Sequence, residues 1–229
     1  MDKNVPHNLF LQGTRTAIPI IIGYIPIAMT FGMLGVQAGI SFWHVVMMSV
    51  LVFAGASQFV GLNLIAAGTG SITIILTTFI LNLRHFIMSM SFMHKQTALS
   101  TGVKALLSFG LTDETFAVAS MENRQSGAFF IGLFFSSYAA WVGGTMIGGL
   151  LAHYIPPSVS EVMAITLYAL FIGLLIPAIR QHKKVLIIVI PTAAICYMFH
   201  LILPIGWAIV LATVLGSSLG IFIDIEKEG

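Results

Sequence analysis

An apolar run from Ser71 to Phe92 that contains an arginine constrains this chain more than any other feature. The run is long enough to cross a bilayer as a helix, since about 20 apolar residues span the hydrocarbon core. Arg84 lies beyond the middle of the run, with Asn82 and His85 beside it. A charge at this depth costs about 2.5–3.5 kcal/mol on insertion scales and usually faces a partner or a water-filled cavity. These three polar residues therefore predict a buried functional site in a membrane protein.

The composition of the whole chain also indicates an integral membrane protein. It is 58% hydrophobic and 8% charged, and its mean hydropathy is +1.00, whereas soluble domains carry about 25% charged residues. Apolar runs of about 20 residues exclude a transmembrane β-barrel, whose strands are about 10 residues long. The net charge of +2 is too small to indicate nucleic-acid binding. We expect an all-α helical bundle, with residues 1–229 forming a single transmembrane domain.

The apolar runs predict six to eight membrane segments. The uninterrupted segments are 17–38, 71–92, 127–151, 162–179, 185–203 and 205–223. Residues 42–67 and 105–121 are also apolar, but polar residues and glycine interrupt both. Each of these two segments either crosses as a broken helix or returns as a re-entrant hairpin, which gives eight or six spans. The distribution of lysine and arginine places both termini in the cytoplasm in either case, and we expect the first helix to be retained rather than cleaved.

The first interruption is Gly55-Ala56-Ser57-Gln58-Phe59. Irregular backbone at membrane depth is tolerated only where protein or a water-filled cavity covers it. The N–H groups that begin a second half-helix can receive an anionic group, and the Ser and Gln side chains add hydrogen-bonding capacity. A plain packing kink is the alternative. Together with the polar residues of segment 71–92, this stretch predicts a substrate site made of Gly55, Ser57, Gln58, Phe59, Asn82 and Arg84.

The second interruption, residues 110–115, contains the acids Asp113 and Glu114. Thr112 can cap a half-helix whose first turn holds both acids, where a negative charge favours the helix dipole. Adjacent helical residues point about 100 degrees apart, so the two carboxylates should face different partners. We predict that these acids, with His85, couple transport to protons. The alternatives are an interfacial helix cap and a hydrogen-bonded structural histidine.

Arg84 has two open interpretations, and other chemistry is not indicated. Its guanidinium either binds a substrate carboxylate or forms a structural ion pair with one of the two acids. The histidines show no metal-ligand spacing and no phosphate-binding loop is present, so we expect neither a metal nor a cofactor. Ser57 and His85 lack the specific spacing of a serine hydrolase. We therefore expect a transporter rather than an enzyme, with a passive channel or an intramembrane hydrolase as alternatives.

Three motifs in this order resemble the AzlC-type family, also called the YgaZ type. They are Gly55-Ala56-Ser57-Gln58-Phe59, Leu83-Arg84-His85 and Leu111-Thr112-Asp113-Glu114-Thr115-Phe116-Ala117, and the opening Ile25-Pro26-Ile27-Ala28-Met29-Thr30-Phe31-Gly32 fits as well. The family comprises large subunits of bacterial branched-chain amino acid exporters.

The resemblance implies a secondary transporter of the bacterial inner membrane that exports valine, leucine and isoleucine, with methionine as a further candidate substrate. It also implies a small hydrophobic partner of the AzlD/YgaH type. We expect the glycine pairs Gly144/Gly148 and Gly216/Gly220 to offer contact faces for that partner, since small residues at this spacing let helices approach closely. Proton coupling comes from our interpretation of the acids and not from the resemblance.

Overall fold

A computed structural model of the chain describes residues 5–97, 99–122, 126–156, 183–203 and 205–221, and scattered positions between 157 and 182. The described residues form helices and their connections. In chain order the helices are α1 (Val5–Thr16), α2 (Ile18–Gln37), α3 (Phe42–Val52), α4 (Gly55–Ala66), α5 (Ser71–Lys95), α6 (Thr101–Phe109), α7 (Asp113–Met121), α8 (Gly127–Leu151), α9 (Val185–His200) and α10 (Ile205–Ile221). This architecture confirms the predicted all-α membrane fold.

Three of the described helices, α2, α5 and α8, are long and apolar enough to cross a membrane. Helices α3 and α9 are apolar but shorter. The total of six to eight membrane segments stays a prediction, as does a single transmembrane domain. The predicted segment 162–179 lies largely outside the described residues. Helix α1, which precedes the first membrane segment, was not predicted.

The chain divides into two compact units, of which unit 1 comprises Met1–Phe59 and Asn82–Thr166 and unit 2 comprises Val60–Leu81 and Leu167–Gly229. The core of unit 1 is the packing of α1 and α2 against α8. Glycines allow this close approach, because a Cβ atom at Gly148 would overlap the carbonyl oxygen of Met29. Within unit 2, α9 packs against α10.

The predicted role of the glycine pairs in binding a partner is wrong for three of the four glycines. Gly144 and Gly148 are buried in α8 and face α2, so this surface is already occupied within the chain. Gly216 lies against the side chain of Thr192 on α9. The surroundings of Gly220 are outside what the structure describes. Gly144, Gly148 and Gly216 therefore pack helices of the same chain together.

Both segments are interrupted helices, as predicted, and whether each crosses the membrane or re-enters stays a prediction. The first break, Phe53–Ala54, separates α3 from α4, and Phe53 adopts a left-handed conformation with φ 38°. This break lies just before the predicted one, and Gly55 to Gln58 form the first turn of α4 instead. The second break, Gly110–Thr112, separates α6 from α7 within the predicted stretch.

Candidate transport site

Gln58 organises the first break. Its amide oxygen accepts hydrogen bonds from the backbone N–H of Ala54 at 3.2 Å and from the indole of Trp141 at 3.0 Å. Its amide nitrogen donates to the hydroxyl of Ser49 at 3.0 Å, and that hydroxyl pairs with Thr145 at 2.7 Å. Gln58 is only 2% exposed. Because buried polar groups are costly unless they are paired, this network holds the irregular backbone in place.

The other predicted residues of this stretch also contact protein. Ser57 is buried and donates to the carbonyl oxygen of Ala54 at 3.0 Å. Gly55 lies so close to α8 that a Cβ atom would stand 2.8 Å from the ring of Trp141. Phe59 is buried, with its ring 5.4 Å from that of Phe31. Substrate binding by these residues stays a prediction, and in this conformation their side chains stabilise the break.

A reciprocal capping box forms the second break. The Thr115 backbone N–H donates to the Thr112 hydroxyl at 3.3 Å, and the Thr112 backbone N–H donates to the Thr115 hydroxyl at 2.8 Å. Helix α7 therefore begins at Asp113, with both acids in its first turn. This confirms the predicted cap, and it fixes the directions in which the two carboxylates leave the helix.

An ion pair joins Arg84 on α5 to Asp113 at the start of α7. The distance from Arg84 Nη1 to Asp113 Oδ2 is 2.6 Å. The two side chains are 35% and 27% exposed, so the pair lies at the border of the packed protein and not inside its core. The structure confirms that Arg84 is paired with one of the acids.

Glu114 faces a different partner, as the helix geometry predicted. The hydroxyl of Tyr24, on α2, donates to Glu114 Oε2 at 2.6 Å. The same hydroxyl lies 2.6 Å from that of Thr112. Tyr24 is almost fully buried. The two adjacent acids thus connect α7 to two separate helices, since Asp113 binds Arg84 on α5.

Tyr24 also contacts the first break, and sequence analysis did not identify it. Its ring packs edge-on against Phe53, with centroids 6.2 Å apart, and against Trp141, with centroids 5.2 Å apart. One side chain therefore touches both helix breaks of unit 1. The sequence does carry a signal for such a residue, because a buried tyrosine hydroxyl or tryptophan indole in an apolar helix needs a polar partner.

Asn82 and His85 lie on α5 beside Arg84 and are half-buried. The buried amide oxygen of Asn82 has no hydrogen-bond partner among the described residues. His85 lies within electrostatic range of Arg84 and Glu114. The roles of both residues in binding or coupling stay predictions. In the described part of the chain, no group of three His, Cys, Asp or Glu side chains is placed to hold a metal ion.

Broken helices beside paired charges are typical of membrane transporters. Comparison with known proteins identifies the family. The family model for the AzlC protein matches residues 19–155. This chain therefore belongs to the AzlC family, which confirms the resemblance and agrees with the expectation of a transport protein rather than an enzyme.

Three relatives illustrate the similarity. The chain is 36% identical to the "Inner membrane protein YgaZ" of Escherichia coli over 76% of this chain and 75% of that protein. It is 35% identical to an "Uncharacterized membrane protein" of Archaeoglobus fulgidus over 85% and 86% of the two chains. It is 29% identical to the "Branched-chain amino acid transport protein AzlC" of Bacillus subtilis over 73% and 66%. No solved structure matches.

Proposed function

We propose that this protein is a secondary transporter that exports branched-chain amino acids, and methionine as a further substrate, across the bacterial inner membrane. The name of the Bacillus subtilis relative supports the substrate class, and the name of the Escherichia coli relative supports the membrane. The motif resemblance supports export and a small AzlD/YgaH-type partner. The distribution of basic residues supports cytoplasmic termini.

The Arg84–Asp113 ion pair is the observation that carries this proposal. A free amino acid presents a carboxylate and an ammonium group close together, and this pair presents one charge of each sign. In the proposed binding mode the guanidinium holds the substrate carboxylate, for which its planar fork of donors is suited. The ammonium group binds Asp113. Asn82 stays a proposed substrate contact, because its buried amide oxygen has no hydrogen-bond partner among the described residues.

This binding mode gives a physical reason for exchange of substrate against protons. The substrate ammonium and a proton compete for the same carboxylate of Asp113. A carrier that holds one of them cannot hold the other at that group, so outward movement of the amino acid alternates with inward movement of a proton. Glu114 and His85 lie beside the pair and form the second part of the proposed coupling site.

Efflux from preloaded cells tests the proposed function. Cells containing this protein, with and without the small partner, are loaded with labelled isoleucine, valine, leucine or methionine. We expect saturable efflux of the branched-chain substrates, and counterflow of labelled leucine after reconstitution in liposomes. If no branched-chain amino acid leaves the cells faster than in an empty-vector control, the proposal is wrong. Non-saturable flux without counterflow would instead establish a passive channel.

A further inference from the structure

Tyr24 hydrogen-bonds to Glu114, and it also packs on the first helix break. Its hydroxyl is the donor to Glu114 Oε2, because a carboxylate can only accept. A tyrosine hydroxyl has a single proton, so the hydroxyl of Thr112 must be the donor in its 2.6 Å contact with Tyr24. With Glu114 as a carboxylate, the hydrogen-bond donors therefore run from Thr112 through Tyr24 to Glu114.

The strength of the hydrogen bond from Tyr24 to Glu114 depends on the charge of Glu114. Hydrogen bonds to an ionised acceptor are roughly twice as strong as neutral ones. When Glu114 takes up a proton, the contact with Tyr24 becomes neutral and weaker. The titratable groups that interact with Glu114 are Tyr24 from α2 and His85 from α5. The other charged groups of this site, Asp113 on the same helix and Arg84 on α5, pair with each other.

We propose that Tyr24 is a positioning residue that transmits the protonation state of Glu114 to the first helix break. With Glu114 charged, the hydroxyl holds the tyrosine ring against Phe53 and Trp141. With Glu114 protonated, the ring is released and the backbone at Phe53, which already has a left-handed conformation, can rearrange. This inference rests on the proposed transport function and adds to it a link between the two breaks.

Tyr138 provides a matched control within the same aromatic cluster. Its ring packs edge-on against Phe53 at 5.2 Å and against Phe109 at 5.7 Å, so it also touches both broken helices. Its hydroxyl donates to the carbonyl oxygen of Val50 at 2.9 Å and not to an acid. Changing Tyr138 to Phe removes a hydroxyl from this cluster without touching Glu114.

The test compares Tyr24→Phe, Tyr138→Phe and Glu114→Gln in proteoliposomes, with isoleucine efflux measured across a series of pH gradients. We expect Tyr24→Phe to lower gradient-driven efflux by about tenfold, which corresponds to about 1.4 kcal/mol, and to flatten its pH profile. Glu114→Gln should give the same profile, the double variant should be no worse than either single variant, and Tyr138→Phe should keep the wild-type profile.

A wild-type pH profile for Tyr24→Phe, or additive losses in the double variant, would overturn the inference. Equal flattening by Tyr138→Phe would overturn it as well. Absence of isoleucine efflux by the wild-type protein would refute the proposed function itself and not only this inference.

A spectroscopic measurement tests the inference without changing Tyr24. The chain has three tryptophans, and replacing Trp43 and Trp207 by Phe leaves Trp141, which contacts the Tyr24 ring, as the reporter. We expect Trp141 fluorescence to change with pH in this background and to lose that change when Glu114→Gln is added. Fluorescence that is independent of pH, or equally dependent in both proteins, would contradict the proposal.

Discussion

The two helix breaks of unit 1 differ in how their polar groups are paired. At the first break, neutral groups bind one another, and the amide of Gln58 links Ala54, Ser49 and Trp141. At the second break, the cap is also closed locally, but the two acids that follow it reach to other helices. Asp113 binds Arg84 on α5, and Glu114 accepts from Tyr24 on α2.

This difference suggests a division of roles between the breaks. A fully paired neutral network has no group that a proton or an ionic substrate can displace, so we infer that the first break senses neither of them and responds only through contacts such as that of Tyr24. Charged pairs between separate helices can be exchanged for pairs with a substrate or a proton. We infer that the second break is where transport is controlled, and the following predictions test this contrast.

Arg84→Ala should have the largest effect on transport. It removes the proposed ligand of the substrate carboxylate and leaves Asp113 without the cation at 2.6 Å. We expect efflux of isoleucine to fall at least about 100-fold, equivalent to about 2.7 kcal/mol, while the protein still inserts. The measurement is efflux from preloaded cells, normalised to the amount of protein in the membrane.

The double variant Arg84→Gln/Asp113→Asn separates the two interpretations of this pair. It removes both charges together, so neither is left uncompensated. If the pair binds substrate and proton, the double variant should insert normally and remain inactive. Recovery of efflux in the double variant would show that the ion pair is structural, and the contrast between the breaks would then lose its basis.

Gln58→Leu should affect stability more than coupling. The change leaves the Ala54 N–H and the Trp141 indole without their acceptor, and each unpaired buried group costs about 1–3 kcal/mol. We expect a lower unfolding temperature in detergent, and residual efflux with the wild-type pH profile. Asn63→Leu is the matched control, since Asn63 is an exposed amide on the same helix and should change stability little. An altered pH profile for Gln58→Leu would assign coupling to the first break as well.

Alanine at the glycine beside each break should give the smallest effects, and the two should be similar. A Cβ atom at Gly55 would stand 2.8 Å from the Trp141 ring, and one at Gly110 would stand 2.7 Å from Phe134 Cβ. Overpacking of this kind costs about 1–3 kcal/mol. Unfolding temperatures in detergent measure the loss, with Gly143→Ala as control because a Cβ there meets no atom within 4 Å. A loss at only one glycine would show that the breaks also differ in packing.

The sequence predicted those features that follow from local rules. Hydropathy gave the membrane fold and the bounds of α8, while glycine and polar residues located both breaks to within a few residues. The cap at Thr112 fixed the start of α7, and helical geometry predicted different partners for the two adjacent acids. Membrane burial of opposite charges gave the pairing of Arg84 with an acid as one of two interpretations, and the structure shows that pair.

The features that the sequence did not predict depend on distant contacts. Tyr24 lies 90 positions from Glu114, and a tyrosine among apolar residues is equally compatible with packing or with an interfacial position. The partners of Gln58 include Trp141 on α8, which no local pattern identifies. The pair Gly144/Gly148 carries a signal for helix contact, but that signal does not say whether the other helix belongs to the same chain.

Proton movement during transport tests the central claim most directly. Proteoliposomes with an internal pH dye receive isoleucine, and the proton flux that accompanies isoleucine is compared for the wild type, Gln58→Leu, Asp113→Asn and Glu114→Gln. We predict isoleucine-dependent proton flux for the wild type and for Gln58→Leu, and its loss in at least one of the acid variants. Flux that persists in both acid variants would contradict the assignment of coupling to the second break. Loss of flux in Gln58→Leu would contradict it as well.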